Sequence, residues 1–175
     1  DIFGSRGLGD VYKRQEFPKN EGDSMNEIIS DERLEALVLA QNRQVNNPVL
    51  LEAQKQAAKA NDWKFLYQLS KVAGLETSVL IDAEGRIQID WGSPGLVPLK
   101  PFFGAKAPFS VWVHTHPSMS AYWSITDRRS LAHSTGILEC AMVLGEEGFK
   151  IAKNTLHIST PADFRLGDLS LIHIS

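Results

Sequence analysis

The chain has 175 residues, of which 43% are hydrophobic and 22% charged, and its formal net charge is −3. This balance excludes wholesale disorder, which requires low hydrophobicity and high net charge, and the length predicts one domain. The single cysteine, Cys140, excludes a disulfide scaffold and favours a reducing, cytoplasmic location. We expect neither a membrane nor a nucleic acid as a partner, since no apolar run reaches roughly 18 residues and the charge is not basic.

The two ends of the sequence can be related to each other by back-translation into DNA. Asp10–Gln15 and Leu169–Ile174 can be encoded by the two strands of one inverted repeat. Both segments resemble the translated transposase adapter of sequencing libraries, and Ser5–Gly9 continues the match. We therefore expect residues 1–15 and 169–175 to be adapter-derived, and such segments are left out of fold reasoning.

Three helices are predicted before residue 75, over Asp31–Arg43, Val49–Ala60 and Trp63–Val72. Apolar residues recur at helical spacing in the first and the third: Leu34, Leu37, Val38, Phe65, Leu66, Leu69 and Val72. Ser30 is the predicted N-cap of the first helix, and Gly74 is the predicted C-cap of the third. We expect the apolar sides of these helices to pack in the core.

Strand patterns begin at Thr77. Ser78–Asp82 and Arg86–Trp91 predict a hairpin, and Gly92–Pro108, with three glycines and four prolines, predicts a loop. Further strands are predicted over Ser110–His116, Leu138–Leu144, Phe149–Ala152 and Thr155–Ser159, and one helix over Ser124–Ser134. Helices followed by strands with one helix between them predict an α/β or α+β domain of three layers.

Residues that can carry chemistry follow the pattern His-x-His-Pro-x6-Ser-x2-Asp, which begins at His114. Because side chains alternate along a strand, His114 and His116 lie on the same face, and Pro117 ends the strand. Ser124 is a suitable N-cap for the next helix, and Asp127 falls in the first turn of that helix. This arrangement brings the Asp127 carboxylate back to the end of the strand that carries the two histidines.

Two imidazoles and one carboxylate give a metal three protein ligands and leave a fourth position for water. Open tetrahedral sites of this kind are typical of catalytic zinc, which lowers the pKa of its water to about 7. Each part of the pattern also has a structural explanation. Ser124 and Asp127 alone form a variant of the capping box, a His-x-His pair can be a polar strand face, and His133 and His157 are isolated histidines.

The combined spacing matches the signature of the JAMM (MPN+) metalloproteases at every defined position. The chain resembles that superfamily closely over the 14 residues from His114 to Asp127 and more loosely over residues 66–152. The resemblance implies a zinc-dependent peptidase or isopeptidase with a cytidine-deaminase-like, three-layer α-β-α fold and a mixed sheet. Residues 63–168 would then form the JAB/MPN domain, and residues 16–62 would be an added helical segment.

The resemblance also implies a role for individual residues. His114, His116 and Asp127 would bind Zn²⁺, and Ser124 would donate a hydrogen bond to the developing oxyanion. The family places a glutamate, the general base, between the first helix and the first strand of the domain, and Glu76 stands at that point.

Three other residues have weaker assignments. Glu84 is a second candidate for the general base, although a hairpin turn should face solvent. Phe102 and Phe103 lie where the family places a substrate-contacting insertion, and we expect them either to bind an extended peptide or to form a small core beneath their own loop.

The substrates that the resemblance implies are proteins or peptides, including ubiquitin-like and sulfur-carrier proteins. The bond that is cleaved and the oligomeric state are left open by the sequence. Two alternatives have a related fold: a non-catalytic scaffold of the MPN type and a JAB-domain protein associated with DNA repair. A zinc deaminase is excluded because it needs a Pro-Cys-x-x-Cys pair, and a His-Glu-x-x-His protease is excluded because that motif does not occur.

Overall fold

A computed structural model describes residues 29–153. The helices are α1 (Asp31–Gln41), α2 (Pro48–Lys59), α3 (Trp63–Ala73) and α4 (Ile125–His133). The strands are β1 (Thr77–Ile81), β2 (Ile87–Trp91), β3 (Val111–Thr115), β4 (Cys140–Gly145) and β5 (Gly148–Lys153). The predicted strand at 155–159, His157 and the terminal segments 1–15 and 169–175 lie outside the described residues. Of these four helices, none combines the length and the apolar character needed to cross a membrane.

The five strands form one mixed sheet in the order β2-β1-β3-β4-β5. β1 is antiparallel to both β2 and β3, β3 is parallel to β4, and β5 closes the other edge as an antiparallel hairpin with β4. A parallel pair requires a crossover connection, and α4 lies in the connection between β3 and β4. The prediction of a mixed α/β domain with a hairpin at β1 and β2 is therefore confirmed.

Each face of the sheet has its own core. On one face, α1, α2 and α3 pack against alternate strand residues: Val79, Val113, Met142 and Leu144. On the other face, the intervening residues pack with the loop before α4 and with α4 itself: Leu80, Trp112, Ala141, Val143, Trp123 and Leu131. α1 and α2 share the first core with α3, and the predicted division of the chain between residues 62 and 63 stays a prediction.

The predicted buried face of α1 is wrong in part, although Leu37 packs against the first core as expected. Leu34 and Val38 are 53% and 48% exposed, whereas Ala36 and Ala40 are completely buried. The distance between packed helices depends on the side chains at the contact, and these alanines let α1 lie close to α3. Apolar spacing could not reveal this, because larger apolar residues occupy the outer side of the same helix.

The remaining helix predictions are confirmed with small changes. Ser30 accepts a hydrogen bond from Arg33 N as the N-cap of α1, and Gly74 ends α3 in the left-handed conformation with φ of 65°, which glycine adopts without strain. Phe65, Leu66 and Leu69 are buried as expected. Val72 is 43% exposed, so its predicted place in the core is wrong, and Ala73 is buried instead.

The hairpin between β1 and β2 is closed by a buried carboxylate. Asp82 Oδ1 accepts hydrogen bonds from the backbone N–H groups of Glu84 and Arg86, both at 2.9 Å, and Oδ2 accepts from Lys106 N at 3.0 Å. The side chain of Arg86 also donates to Asp82 and, at 2.6 Å, to Gly104 O. Asp82 thus joins the hairpin turn to the end of the long loop before β3.

The contribution of Asp82 to stability should disappear in acid. Burial raises the pKa of this carboxyl, but the hydrogen bonds from Lys106, Arg86 and Glu84 outweigh that effect and lower the pKa to about 2, from an unfolded value of about 3.9. A depressed folded pKa stabilises above the unfolded pKa and ceases to do so as the pH falls through the folded value. The difference in unfolding free energy between wild type and Asp82→Asn should be constant from about pH 7 to 5 and shrink below about pH 4.

Val79→Ala is the control for this measurement by urea unfolding, because it destabilises β1, the strand that ends just before Asp82, by removing only buried apolar atoms. Its free-energy difference from wild type should not shrink in acid. If Asp82→Asn and Val79→Ala show the same pH dependence, the carboxylate is not the titrating group.

Candidate metal centre

The two histidines of the motif lie at the end of β3, in the middle of the sheet. His114 is opposite Ser78 of β1 and Val143 of β4, and His116 continues the pairing with β4 through a 2.8 Å hydrogen bond from its N–H to Leu144 O. Strand alternation directs both rings to the face that carries α4. Both residues are buried, with exposures of 0% and 2%.

Between His116 and α4, the chain crosses the end of the sheet in a loop that is held by specific hydrogen bonds. The Ser118 N–H donates to the Tyr67 hydroxyl of α3 at 3.1 Å, and Ser118 adopts a positive φ of 60°. Glu146 N donates to Met119 O at 2.8 Å, and Glu146 Oε2 accepts from the Tyr67 hydroxyl at 2.7 Å. The loop is therefore attached both to α3 and to the turn between β4 and β5.

Gly145 at the end of β4 makes room for this loop. A Cβ atom at Gly145 would lie 2.1 Å from Ala121 N, a distance that real Cβ atoms do not reach. Only glycine lets the loop backbone pass at this distance from β4. This contact helps to fix the path of the chain from His116 to the start of α4.

A capping box at the start of α4 fixes Asp127. The Ser124 hydroxyl accepts from Asp127 N at 3.1 Å, and Asp127 Oδ2 accepts from Ser124 N at 2.7 Å. This reciprocal pair satisfies two backbone donors that the first helical turn leaves free. The structural explanation of these two residues and the functional one are compatible, because the same hydrogen bonds hold the carboxylate beside the histidines.

The three side chains converge on a small volume. His114 Nε2 lies 3.2 Å from Asp127 Oδ1, and His116 Nε2 lies 3.6 Å from Asp127 Oδ2. The potential ligand atoms of all three residues lie within 4.8 Å of one another, so this buried group could hold a metal ion. Zinc ligands at about 2.0–2.2 Å in tetrahedral geometry are separated by roughly 3.3–3.5 Å, which is close to both distances.

The electrostatics of the group also suit a cation. Burial raises the pKa of the Asp127 carboxyl, but its contacts with His114, His116 and Ser124 outweigh burial and hold this pKa well below its usual range. Burial lowers the pKa of the His114 imidazole, despite the opposing effect of Asp127. An ionised carboxylate and a neutral imidazole are the forms that bind a metal.

Aromatic rings surround the two imidazoles. His114 is stacked on Trp112 with ring centroids 4.7 Å apart and an angle of 18°, and Trp123 lies 5.8 Å away on another side. The ring of His116 lies 4.5 Å from that of Tyr122. Within residues 29–153, Nδ1 of both histidines is buried without a hydrogen-bond partner, so aromatic packing orients these rings.

Glu76 lies beside the three residues, immediately before β1. Its Oε1 is 3.8 Å from His116 Nε2, and the residue is 4% exposed. Its backbone extends the hairpin by bonding to Gly92 and Ser93 at 2.8 and 2.9 Å. Burial raises the pKa of the Glu76 carboxyl; His116 lowers it and Asp127 raises it further. The structure therefore brings Glu76 and Ser124 to the same place as the three potential ligands.

The other sequence candidates lie elsewhere. Glu84 is exposed in the hairpin turn and pairs with Arg86 at 3.3 Å, at the end of β1 away from Glu76. Phe102 lies 5.3 Å beneath the Arg86 guanidinium, also at that end, and Phe103 is fully exposed. A substrate-binding role for these two phenylalanines stays a prediction.

His133 takes no part in the metal centre. It is exposed at the last turn of α4, where its Nδ1 lies 2.7 Å from Arg129 O of the same helix. This placement agrees with its interpretation as an isolated histidine.

Sequence reasoning missed the residues that position the centre. Trp112 had a signal, because strand alternation places it on the same face as His114 and His116. Tyr67 had none, because the Ser118 N–H that donates a hydrogen bond to its hydroxyl lies 51 residues later in the chain.

Comparison with protein-family models, with curated proteins and with solved structures finds no match to this chain.

Removing the carboxylate should abolish tight metal binding. Wild type should bind about one Zn²⁺ per chain, and saturation at roughly 1,000 times Kd should stabilise it by about 4 kcal/mol, which raises Tm by roughly 10 °C at this size. For Asp127→Asn, metal analysis should find no tightly bound Zn²⁺, and thermal unfolding should show no rise in Tm when zinc is added. Asp82→Asn, which alters another buried aspartate remote from the histidines, should keep both. Equal zinc binding by wild type and Asp127→Asn would exclude this centre.

Proposed function

We propose that the chain is a zinc-dependent hydrolase of peptide or isopeptide bonds, similar in mechanism to the JAMM metalloproteases. The observation that carries this proposal is the buried convergence of His114, His116 and Asp127 with a second carboxylate, that of Glu76, 3.8 Å from His116. A metal site that serves only structure has four protein ligands. Here three side chains could bind the metal, and the separate Glu76 carboxylate would be left to transfer a proton.

The residues present fit a zinc ion. Two imidazoles and one carboxylate are a ligand set typical of zinc, and the buried nitrogens of His114 have no hydrogen-bond partner within residues 29–153. His114 Nε2 lies 3.2 Å from Asp127 Oδ1, a separation that two ligands of one zinc ion also have. When bound, zinc would supply Lewis acidity that makes water nucleophilic near neutral pH.

Glu76 and Ser124 would perform the remaining chemistry. The Glu76 carboxylate takes a proton from the attacking water as the water oxygen bonds to the scissile carbonyl carbon, and it returns that proton to the amine when the C–N bond breaks. The Ser124 hydroxyl already accepts from Asp127 N, which leaves its own O–H to donate to the developing oxyanion.

The architecture supports the finer fold assignment that we propose, a cytidine-deaminase-like domain of the JAB/MPN type. A mixed sheet with helices α1–α3 on one face and α4 on the other has the layers that such a fold requires. The candidate centre lies where β3 ends and α4 begins, at the parallel pair β3–β4. Open α/β sheets bind ligands beyond the carboxyl ends of their strands.

For the substrate, we propose a protein with a flexible C-terminal tail, such as a ubiquitin-like or sulfur-carrier protein in the cytoplasm. Peptide-bond hydrolysis needs an extended chain that can reach a buried centre, and His116 and Glu76 are only 2% and 4% exposed. A narrow tail such as Gly-Gly meets that requirement with little steric hindrance. The scaffold alternative has no specific support, because a scaffold does not need this centre.

Replacing the general base should stop turnover without removing the metal. With a ubiquitin-like protein fused through its C-terminal Gly-Gly to a reporter, Glu76→Gln should lower kcat/KM by about 100-fold or more. Zinc content should remain about one per chain, because Glu76 is not among the three potential ligands. Cleavage is measured by intact-mass spectrometry and metal by elemental analysis.

Glu84→Gln is the matched control, since it makes the same change at the exposed end of the hairpin. It should leave both cleavage and zinc content unchanged. Full activity of Glu76→Gln would refute the assignment of the base. Zinc-loaded wild type that cleaves neither a fused nor an isopeptide-linked substrate would favour the scaffold.

A further inference from the structure

A buried chain of hydroxyl groups crosses the sheet face opposite the metal centre. Thr77 N–H donates to Thr115 Oγ1 at 2.9 Å, and the Ser70 hydroxyl donates to Leu75 O at 2.6 Å. The two hydroxyl oxygens, of Ser70 and Thr115, are 2.5 Å apart. A hydroxyl has one proton to donate, and that of Ser70 is used, so Thr115 is the donor to Ser70. The chain therefore runs from Thr77 N–H through Thr115 and Ser70 to the Leu75 carbonyl.

This chain connects the backbone on both sides of Glu76 to the strand that carries the histidines. Leu75 and Thr77 are the immediate neighbours of Glu76 in sequence. Thr115 is the residue between the two histidines, and strand alternation turns its side chain to the opposite face. Ser70, Thr77 and Thr115 are all completely buried, so no solvent replaces these hydrogen bonds.

The hydroxyl chain acts where backbone pairing between β1 and β3 stops. The antiparallel register ends at Ser78 opposite His114, and the backbone of Thr115 pairs with Leu144 of β4 instead. Beyond Ser78, the next N–H of the β1 segment, that of Thr77, bonds to the Thr115 side chain rather than to a backbone carbonyl. A side chain thus sets the spacing of the two segments where Glu76 and His116 face each other at 3.8 Å.

We propose that Thr115 and Ser70 are positioning residues that hold the Glu76 carboxylate at its working distance from His116. As a statement about catalysis, this rests on the proposed function; as a statement about the separation of the two side chains, it does not. Removal of the Thr115 hydroxyl leaves the Thr77 N–H buried without an acceptor, which is unfavourable. The segment that contains Glu76 relieves this by moving away from β3.

Thr115→Val removes the hydroxyl and keeps the shape of the side chain. In the zinc-loaded full chain, kcat for the fused ubiquitin-like substrate should fall about 10- to 100-fold, as a misplacement of about 1 Å can produce, with KM and zinc content unchanged. Thr115→Ser restores the hydroxyl and should recover most of the rate. Ser70→Ala keeps the Thr77–Thr115 bond and should give an intermediate loss, which also tests the idea if Thr115→Val does not fold.

Val113→Ala is the matched control, because Val113 lies two residues earlier on the same face of β3 and is completely buried. It should lower Tm without lowering kcat at temperatures well below Tm. A purely structural role for Thr115 predicts instead that Thr115→Val and Val113→Ala lose kcat in proportion to their loss of stability. That result, or an unchanged kcat in both Thr115→Val and Ser70→Ala, would overturn the proposal.

Crystal structures of wild type and Thr115→Val, or of Ser70→Ala if Thr115→Val does not fold, decide the matter even if the chain cleaves no substrate. The distance from Glu76 Oε1 to His116 Nε2 should increase by about 1 Å in the variant while the three potential ligands stay together. An unchanged distance would refute positioning by the hydroxyl chain. An increased distance in a protein without hydrolase activity would refute the proposed function but leave the positioning role intact.

Discussion

The arrangement depends on a buried negative charge. Asp127 is 5% exposed, and within residues 29–153 its ion-pair partners are the imidazoles of His114 and His116. Burial of a carboxylate is very unfavourable unless the charge is compensated, and burial disfavours protonation of His114. The divalent cation that we propose would compensate the carboxylate without protonation of His114. The capping box also helps to keep this charge buried, because the Ser124 N–H donates a hydrogen bond to the Asp127 carboxylate and holds it in place.

The two faces of the sheet carry different parts of the structure, the candidate metal centre on one and the buried hydroxyl chain on the other. Alternation along β3 directs Trp112, His114 and His116 to the face of α4 and directs Val113 and Thr115 to the face of α3. The first set forms the candidate centre and its aromatic surroundings, while the second belongs to the core and the buried hydroxyl chain. One short strand therefore carries potential metal ligands on one side and, as we propose, residues that align the neighbouring segments on the other.

Local patterns predicted much of the fold and of the centre, and long-range contacts account for the rest. The two histidines and Asp127 follow from strand alternation and a helix cap, which depend on residues at most three positions apart. The outward side of α1 was mispredicted because the partner helix, and not the spacing of Leu34 and Val38, decides which face is buried. Contacts such as Ser70 with Thr115, 45 residues apart, leave no periodic signal. No local pattern pointed to Glu76. Only the resemblance to a family singled it out, through its position between α3 and β1.

The strand register explains why Glu76, and not another acidic residue, faces His116. With Ser78 opposite His114, a position two residues earlier in the β1 segment comes beside a position two residues later in β3. A slip of one residue would turn every side chain of β1 to the other face, burying Ser78 among α1–α3 and taking Val79 and Leu80 out of their separate cores. It would also break the 2.8 Å hydrogen bond from Trp112 Nε1 to Ser78 Oγ. The hydrophobic alternation that stabilises the sheet thus also fixes the position of the carboxylate, so the two requirements cannot be varied independently.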